Sequence, residues 1–306
     1  MKEEKMFNSE NLLSSYRKLS IGLQAEKLIF TGVEGYDVYN ISAPFQLNKH
    51  LVLAGRIEKR DSENSHIGLF KYNSEKKIWE FIKDSIALEL QDPFVTIIDN
   101  QIIIGGVEVR FEGEHVAKWR TVFYQLNDTN KVVLIFEGPW GMKDLRIKQL
   151  NDGKILILTR PQGDKGGLGK IGCTVINSMS DLTISAIESA HLLKNQFIDE
   201  EWGGANEIHI MNGKIHVLGH IGSKDKSKKL HYRAFVFEIN EKYTHICKPR
   251  IIAERSDFLD GPMKRPDLND VVFSGGLVID GEQAILYAGT SDAEAQKLII
   301  PNPFTD

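Results

Sequence analysis

Cysteine is nearly absent from this chain. Cys173 and Cys247 are two thiols in 306 residues and belong to no spaced motif. That excludes a disulfide framework and a cysteine-based zinc site, and it points to a reducing compartment. Long apolar runs are missing as well. No segment has the length of a membrane span, and "MKEEKMFNSENLLSSYRKL" lacks the apolar stretch of a secretory leader, so the expected location is the cytoplasm. There is no surplus of positive charge. The 38 Lys and Arg against 42 Asp and Glu leave a formal net charge of -4, which removes any global argument for nucleic acid or an anionic membrane as partner. The lysine-rich "GSKDKSKKLHYR" at 222–233 reads as a solvated loop. Helical periodicity is scarce too, with 11–19 and 187–193 as the best candidates. His209, His216 and His220 come without matching carboxylate or cysteine spacing, so no metal is expected. "GLGKIG" at 167–172 fits G-x-G-x-x-G, but it runs into the strand-like "KIGCTVIN" where a dinucleotide site needs a helix.

What the chain does have is a repeat. A turn, about four apolar residues and then a small or polar residue recur in "LNKHLVLAGR", "IDNQIIIGGV", "NDGKILILTR", "MNGKIHVLGH" and "IDGEQAILYAG". Each follows another strand-like segment, so each pair reads as a β-hairpin. The first three are in register, since Asn40 to Asp92 and Asp92 to Asp144 are both 52 residues. A β repeat near fifty residues predicts propeller blades. The expected fold is all-β, a five-bladed β-propeller formed as one domain over residues 1–306, with the N-terminal segment closing or capping the ring.

In a hairpin, the start of the first strand and the end of the second lie at the same end. Asn40, Asp92, Asp144, Asn206 and Ser274 open first strands, whereas Arg56, Arg160 and His220 close second strands. In a propeller these ends gather round one mouth of the central channel and make a concave polar funnel. Asp92, stiffened by Pro93, reads either as a general acid at that mouth or as a turn-forming Asp-Pro. "GMKDLR" adds Lys143, Asp144 and Arg146, and alternation sends Asp144 and Arg146 to one face. "GRIEKRD" adds Arg56, Glu58, Arg60 and Asp61. Carboxylates bind hydroxyls and guanidinium forks bind phosphate oxygens, so the mixture suits a polyhydroxylated substrate together with phosphate. Trp202 in "EEWGGANEI" is either a sugar-stacking platform or a packed loop residue.

With "YNISAP", "GRIEKRDSENSHIGLF", "QDPFV", "KDLRIKQLNDGKILILTRP", "VLGHIG" and "VVFSGGLVIDGEQAILYAGTSD" in that order, the chain resembles the five-bladed β-mannoside phosphorylases. Within them it is most similar to the dual-activity β-1,2-mannosyltransferase–phosphorylases of mannan oligosaccharides. The resemblance implies an inverting enzyme in which phosphate attacks the anomeric carbon of a β-mannoside and mannose 1-phosphate leaves. In synthesis the donor would be mannose 1-phosphate or a nucleotide sugar. Asp92 would protonate the leaving oxygen, directly or through a sugar hydroxyl. Arg160 and His220, with Lys143, would hold the phosphate. Asn40, Arg56, Arg60, Asp61, Asp144, Trp202, Asn206, Glu207 and Asp292 are the expected sugar-binding residues. No cofactor is expected, because phosphate or sugar phosphate enters as co-substrate. Two alternatives use the same funnel, an inverting β-mannosidase and a non-catalytic carbohydrate-binding propeller.

Overall fold

A computed structural model describes residues 6–19, 22–113 and 115–305. Strands dominate it, and all five expected hairpins are present. Their turns follow from local chemistry. Asn48-Lys49, Asp99-Asn100 and Asn212-Gly213 each place two successive residues at positive φ, the twist that lets a two-residue turn join antiparallel strands. At "NDGK" the bend falls on Gly153, with φ +84. Beyond it, Ile155–Thr159 is buried at all five positions, because it pairs on both edges and packs on both faces.

The hairpins grow into four hydrogen-bonded sheets. The first is built on His50–Glu58 and Ser65–Asn73. The second runs Gln91–Ile98, Gln101–Glu112, His115–Asp128 and Lys131–Glu137, and the third is built on Arg146–Gln149 and Ile155–Thr159. The fourth and largest combines two antiparallel groups. One contains Trp202–Met211 and Lys214–Lys224. The other contains Asp270–Asp280, Gln283–Thr290 and Glu294–Pro301. A short parallel contact, His231 with Asp270 and Tyr232 with Val271, joins them. Gln24–Lys27 pairs antiparallel with Glu294–Pro301, so the start of the chain completes the sheet that holds its end.

The core lies between neighbouring strand groups. Val52 and Leu69 of the first sheet meet Ile104 and Val122 of the second. Phe94 and Phe123 meet Ile147 and Ile157 of the third. Leu156 and Leu158 meet Val217 and Phe235, and Leu218 and Val236 meet Val272 and Leu286. The fifth cluster returns to the start, setting Tyr287 and Ala295 against Ile41, Leu53 and Phe70. Each interface is apolar, and burial of roughly 25 cal/mol per Å² is what holds the groups face to face.

Helices are few. Ser9–Tyr16 is capped by Asn8, whose side chain accepts from the Asn11 amide, and it covers the helical candidate at 11–19 apart from its last turn. The candidate at 187–193 is corrected. The helix there is Ile184–Glu188, capped by Thr183, and His191–Leu192 pairs as a strand with Gly172–Cys173. Among the described residues no helix is long and apolar enough to cross a membrane.

Candidate active site

The first strands of three hairpins do not pair regularly along their length. Register breaks between Gln91 and Phe94, Ala205 and Glu207, and Ser274 and Gly276. A bulge re-aims the extra residue, and Asp92 and Asn206 sit at two of these breaks. Asn40, Asp92 and Asp144, the three residues at 52-residue spacing, share a left-handed backbone with φ of +44, +52 and +60. Asn and Asp tolerate that conformation better than other side chains. Repetition of the backbone kink therefore places three short polar side chains in equivalent positions.

Around Asp92 the structure brings Asn40, Arg56 and Asp292 together. Asn40 Nδ2 donates to Asp92 Oδ1 at 2.8 Å, and Arg56 Nη1 donates to the same oxygen at 3.1 Å. Arg56 Nε donates to Glu58 Oε2 at 2.9 Å, and its guanidinium lies 4.9 Å over the Tyr39 ring. Tyr39 Oη donates to Glu58 Oε1 at 2.8 Å, and the Lys264 ammonium donates to the same carboxylate. Burial works against the Arg56 charge, but Asp92, Tyr39, Glu58 and Asp292 outweigh it and hold its pKa above the ordinary value. The raised carboxyl of this group is Asp292. Burial pushes it up to about 6; Arg56 and Lys264 pull against that, and Asp92 and Glu58 add to it.

Around Asp144 the structure brings Arg160, His220, Asn206 and Arg146 together. Arg160 Nη1 donates to Asp144 Oδ2 at 3.1 Å, and its Nε donates to the Gly203 carbonyl at 2.9 Å. Burial pushes the Asp144 carboxyl up, but Arg160, then His220, Lys143 and Arg146, outweigh it and hold it at about 2. His220 Nδ1 lies 2.8 Å from Asn206 Oδ1 and its Nε2 lies 3.9 Å from Asp144 Oδ2. Burial lowers His220 to about 3, with Arg160 among the cations that add to this and Asp144 opposing it. The ring is therefore neutral. With Asn206 in this orientation, Nδ1–H donates and Nε2 is left as an acceptor. Arg146, buried over the Phe94 ring at 4.3 Å, donates Nε–H to the Asn206 carbonyl at 2.8 Å. Burial lowers its pKa, and the charges of both Asp144 and Asp92 oppose that, so Arg146 links the two groups.

Three buried polar atoms of these groups make no hydrogen bond within the protein: Asn40 Oδ1, Asp144 Oδ1 and Asn206 Nδ2. Unpaired buried polar atoms are costly, so each of the three is a candidate position for a ligand hydrogen bond. Beside Arg160 opens a cavity of about 410 Å³, also lined by Lys143, Lys224, Trp119, Trp202 and Tyr232. Its charged lining residues are Lys143, Arg160 and Lys224, all cationic. Trp202 donates Nε1–H to Tyr232 Oη at 2.7 Å, and Tyr232 stacks on His220 at 5.7 Å.

Other expected site residues lie elsewhere. Arg60 and Asp61 are exposed, and Arg60 is engaged by Asp37. Glu207 accepts from the Leu277 amide at 2.7 Å and lies 2.8 Å from His209 Nε2, so it ties its strand to the neighbouring group. Lys264 and Tyr232 are residues that sequence reasoning missed. Lys264 sits in an irregular segment with no strand periodicity to flag it, whereas Tyr232 lies on Leu230–Ile239, within the lysine-rich stretch read as a loop.

A family profile described as "Protein of unknown function (DUF1861)" matches residues 16–306. Among solved structures, the chain is similar to MPT-4, a mannose phosphorylase from Leishmania mexicana solved in complex with phosphate ion. The two are 29% identical with a TM-score of 0.88, over 96% of this chain and 93% of that one. It is also similar to MPT-1, a GDP-Man-dependent mannosyltransferase from Leishmania mexicana, at 27% identity and a TM-score of 0.87, over 97% and 95% of the two chains. Similarity to the β-1,2-mannobiose phosphorylase from Listeria innocua is one of fold alone, at 14% identity and a TM-score of 0.63, over 88% and 91%. These neighbours match the mannosyltransferase–phosphorylase resemblance read from the sequence. No curated protein matches the chain.

Proposed function

The chain belongs to the DUF1861 family, and from that premise we propose that it is an inverting β-mannoside phosphorylase and mannosyltransferase acting on β-1,2-linked mannooligosaccharides. We read its five strand groups as the blades of a single propeller. The observation that carries the proposal is the cavity whose charged lining residues, Lys143, Arg160 and Lys224, are all cations. That lining suits an anionic nucleophile, and the likeness to the phosphate-bound MPT-4 supports it.

In this reading phosphate sits against Arg160 and Lys143. Asp144 holds the Arg160 guanidinium by a 3.1 Å hydrogen bond, and neutral His220 accepts a phosphate hydroxyl at Nε2. A phosphate oxygen attacks the anomeric carbon, the glycosidic C–O bond breaks, and Asp92 gives its proton to the leaving oxygen. The product is mannose 1-phosphate of inverted configuration. Asn40 and Arg56 orient Asp92, and the unpaired atoms of Asn40, Asp144 and Asn206 are assigned to mannose hydroxyls. Phosphate carries its own negative charge, so no carboxylate base is needed. An inverting hydrolase needs one to activate water. Asp144, held at about 2 and committed to Arg160, is a poor base near neutral pH, which favours the phosphorylase over the hydrolase.

The test is incubation with β-1,2-mannobiose with and without phosphate, with the sugars read by NMR. The proposal expects mannose and mannose 1-phosphate, and only when phosphate is present. Two free mannoses without phosphate would identify a hydrolase, and no product under either condition a sugar-binding protein.

A further inference from the structure

A second cavity, of about 890 Å³, lies beside the first and shares Gln91, Val107 and Val109 with it as a common wall. We propose that this larger groove seats the departing saccharide chain and sets the enzyme's preference for chain length, an inference that rests on the phosphorylase reading above.

Inversion requires nucleophile and leaving group on opposite faces of the anomeric carbon. With phosphate on the Arg160 side, the departing sugar lies on the Asp92 side. The groove reaches that side through Glu63, which lines it and lies 3.7 Å from the Arg56 guanidinium that holds Asp92. Gln91, next to Asp92 in the chain, donates Nε2–H to the Glu63 carbonyl at 3.1 Å and lines both cavities. The linings differ in sign. Where the charged residues of the smaller cavity are all cations, the groove presents Glu63, Glu89 and two further glutamates against one cation, Arg110, which is paired with Glu108. Carboxylates repel a phosphate or a nucleotide but accept hydrogen bonds from sugar hydroxyls. Ser65 Oγ, also in the groove lining, is buried without a protein partner and is free to meet such a hydroxyl. The groove has more than twice the volume of the cationic cavity, which fits several sugar residues of a neutral chain.

Ala87 and Glu89 line the groove from exposed positions, so changing them spares the core. Ala87→Trp narrows the groove and Glu89→Ala removes a carboxylate. The experiment compares kcat/KM for phosphorolysis of β-1,2-mannobiose and β-1,2-mannotetraose in wild type and both variants, with tetraose binding measured by calorimetry. Ala87→Trp is expected to lose about tenfold on the tetrasaccharide while the disaccharide changes by less than about twofold, the scale of one or two lost hydrogen bonds. Glu89→Ala is expected to shift the ratio in the same direction. If neither variant changes the ratio of the two substrates, the groove proposal falls and the phosphorylase reading stands. If the wild type phosphorolyses neither sugar, the phosphorylase reading fails and calorimetry decides the groove. Tetraose binding weakened by Ala87→Trp then upholds it, and binding equal in both proteins or absent from both overturns it.

Discussion

In the proposed mechanism Asp92 is the general acid, and its backbone decides how to test it. At φ +52, asparagine is tolerated where alanine adds roughly 1–2 kcal/mol of strain. Asp92→Asn is therefore the clean variant. It should lower turnover by about 10²–10⁴-fold while mannoside binding and melting temperature stay near wild type. Near-native rates would move the acid elsewhere, and Asp292 is then the next suspect. Asp292 carries its own prediction. Its carboxyl rises from 3.8 to about 6 in the fold, so the folded state holds that proton more tightly than the unfolded chain. The stability this contributes is present below 3.8 and is lost as pH rises through about 6. Asp292→Asn should therefore gain melting temperature relative to wild type as pH goes from 4 to 7. A difference that does not vary with pH would mean the carboxyl is not held in this way.

Among the strands, the residues of the candidate site were legible in sequence to uneven degrees, for physical reasons. Asn40, Asp92 and Asp144 were readable because a repeated backbone kink demands the same residue types at the same spacing. Arg160 was readable because it follows the end of a buried run, whereas the expectation that His220 closes its strand is corrected: Lys214–Lys224 continues past it through buried Ile221. Glu207 was expected in the funnel, but the bulge at Asn206 resets strand parity and turns Glu207 toward the next group. Arg60 and Asp61 lie beyond the last paired residue of His50–Glu58, at exposed positions. Arg146 was visible by parity with Asp144, yet its place between two carboxylates depends on packing over Phe94, which lies 52 residues away in the chain. The strand Trp202–Met211 offers a sharper test of this scale. A Cβ at Gly204 would sit 2.9 Å from His220 Cε1, 3.0 Å from Arg160 Cδ and 3.2 Å from Asp144 Oδ2. Gly204→Ala should raise the phosphate concentration needed for half-maximal phosphorolysis by roughly tenfold, with the fold kept. An unchanged phosphate dependence would mean that the Asp144–Arg160–His220 group does not hold phosphate.

For the whole molecule, the arrangement depends on the fifth apolar cluster and on the pairing of Gln24–Lys27 with Glu294–Pro301. Removing residues 1–27 deletes that strand and the helix Ser9–Tyr16, and it opens the edge of the last sheet. The melting temperature should fall by more than about 5 °C, and an unchanged melt would show that the pairing contributes little.

In the proposed reaction, phosphate bound at Arg160 is the nucleophile. The direct measurement is phosphorolysis of β-1,2-mannobiose by wild type and Arg160→Ala at varied phosphate, with mannoside affinity determined separately. Loss of a charge-assisted hydrogen bond predicts phosphate affinity weakened about ten- to a hundredfold, with mannoside affinity nearly unchanged. Free mannose released equally well without phosphate, together with an Arg160→Ala variant altered only in mannoside affinity, would contradict the claim and make Arg160 a sugar ligand of a hydrolase.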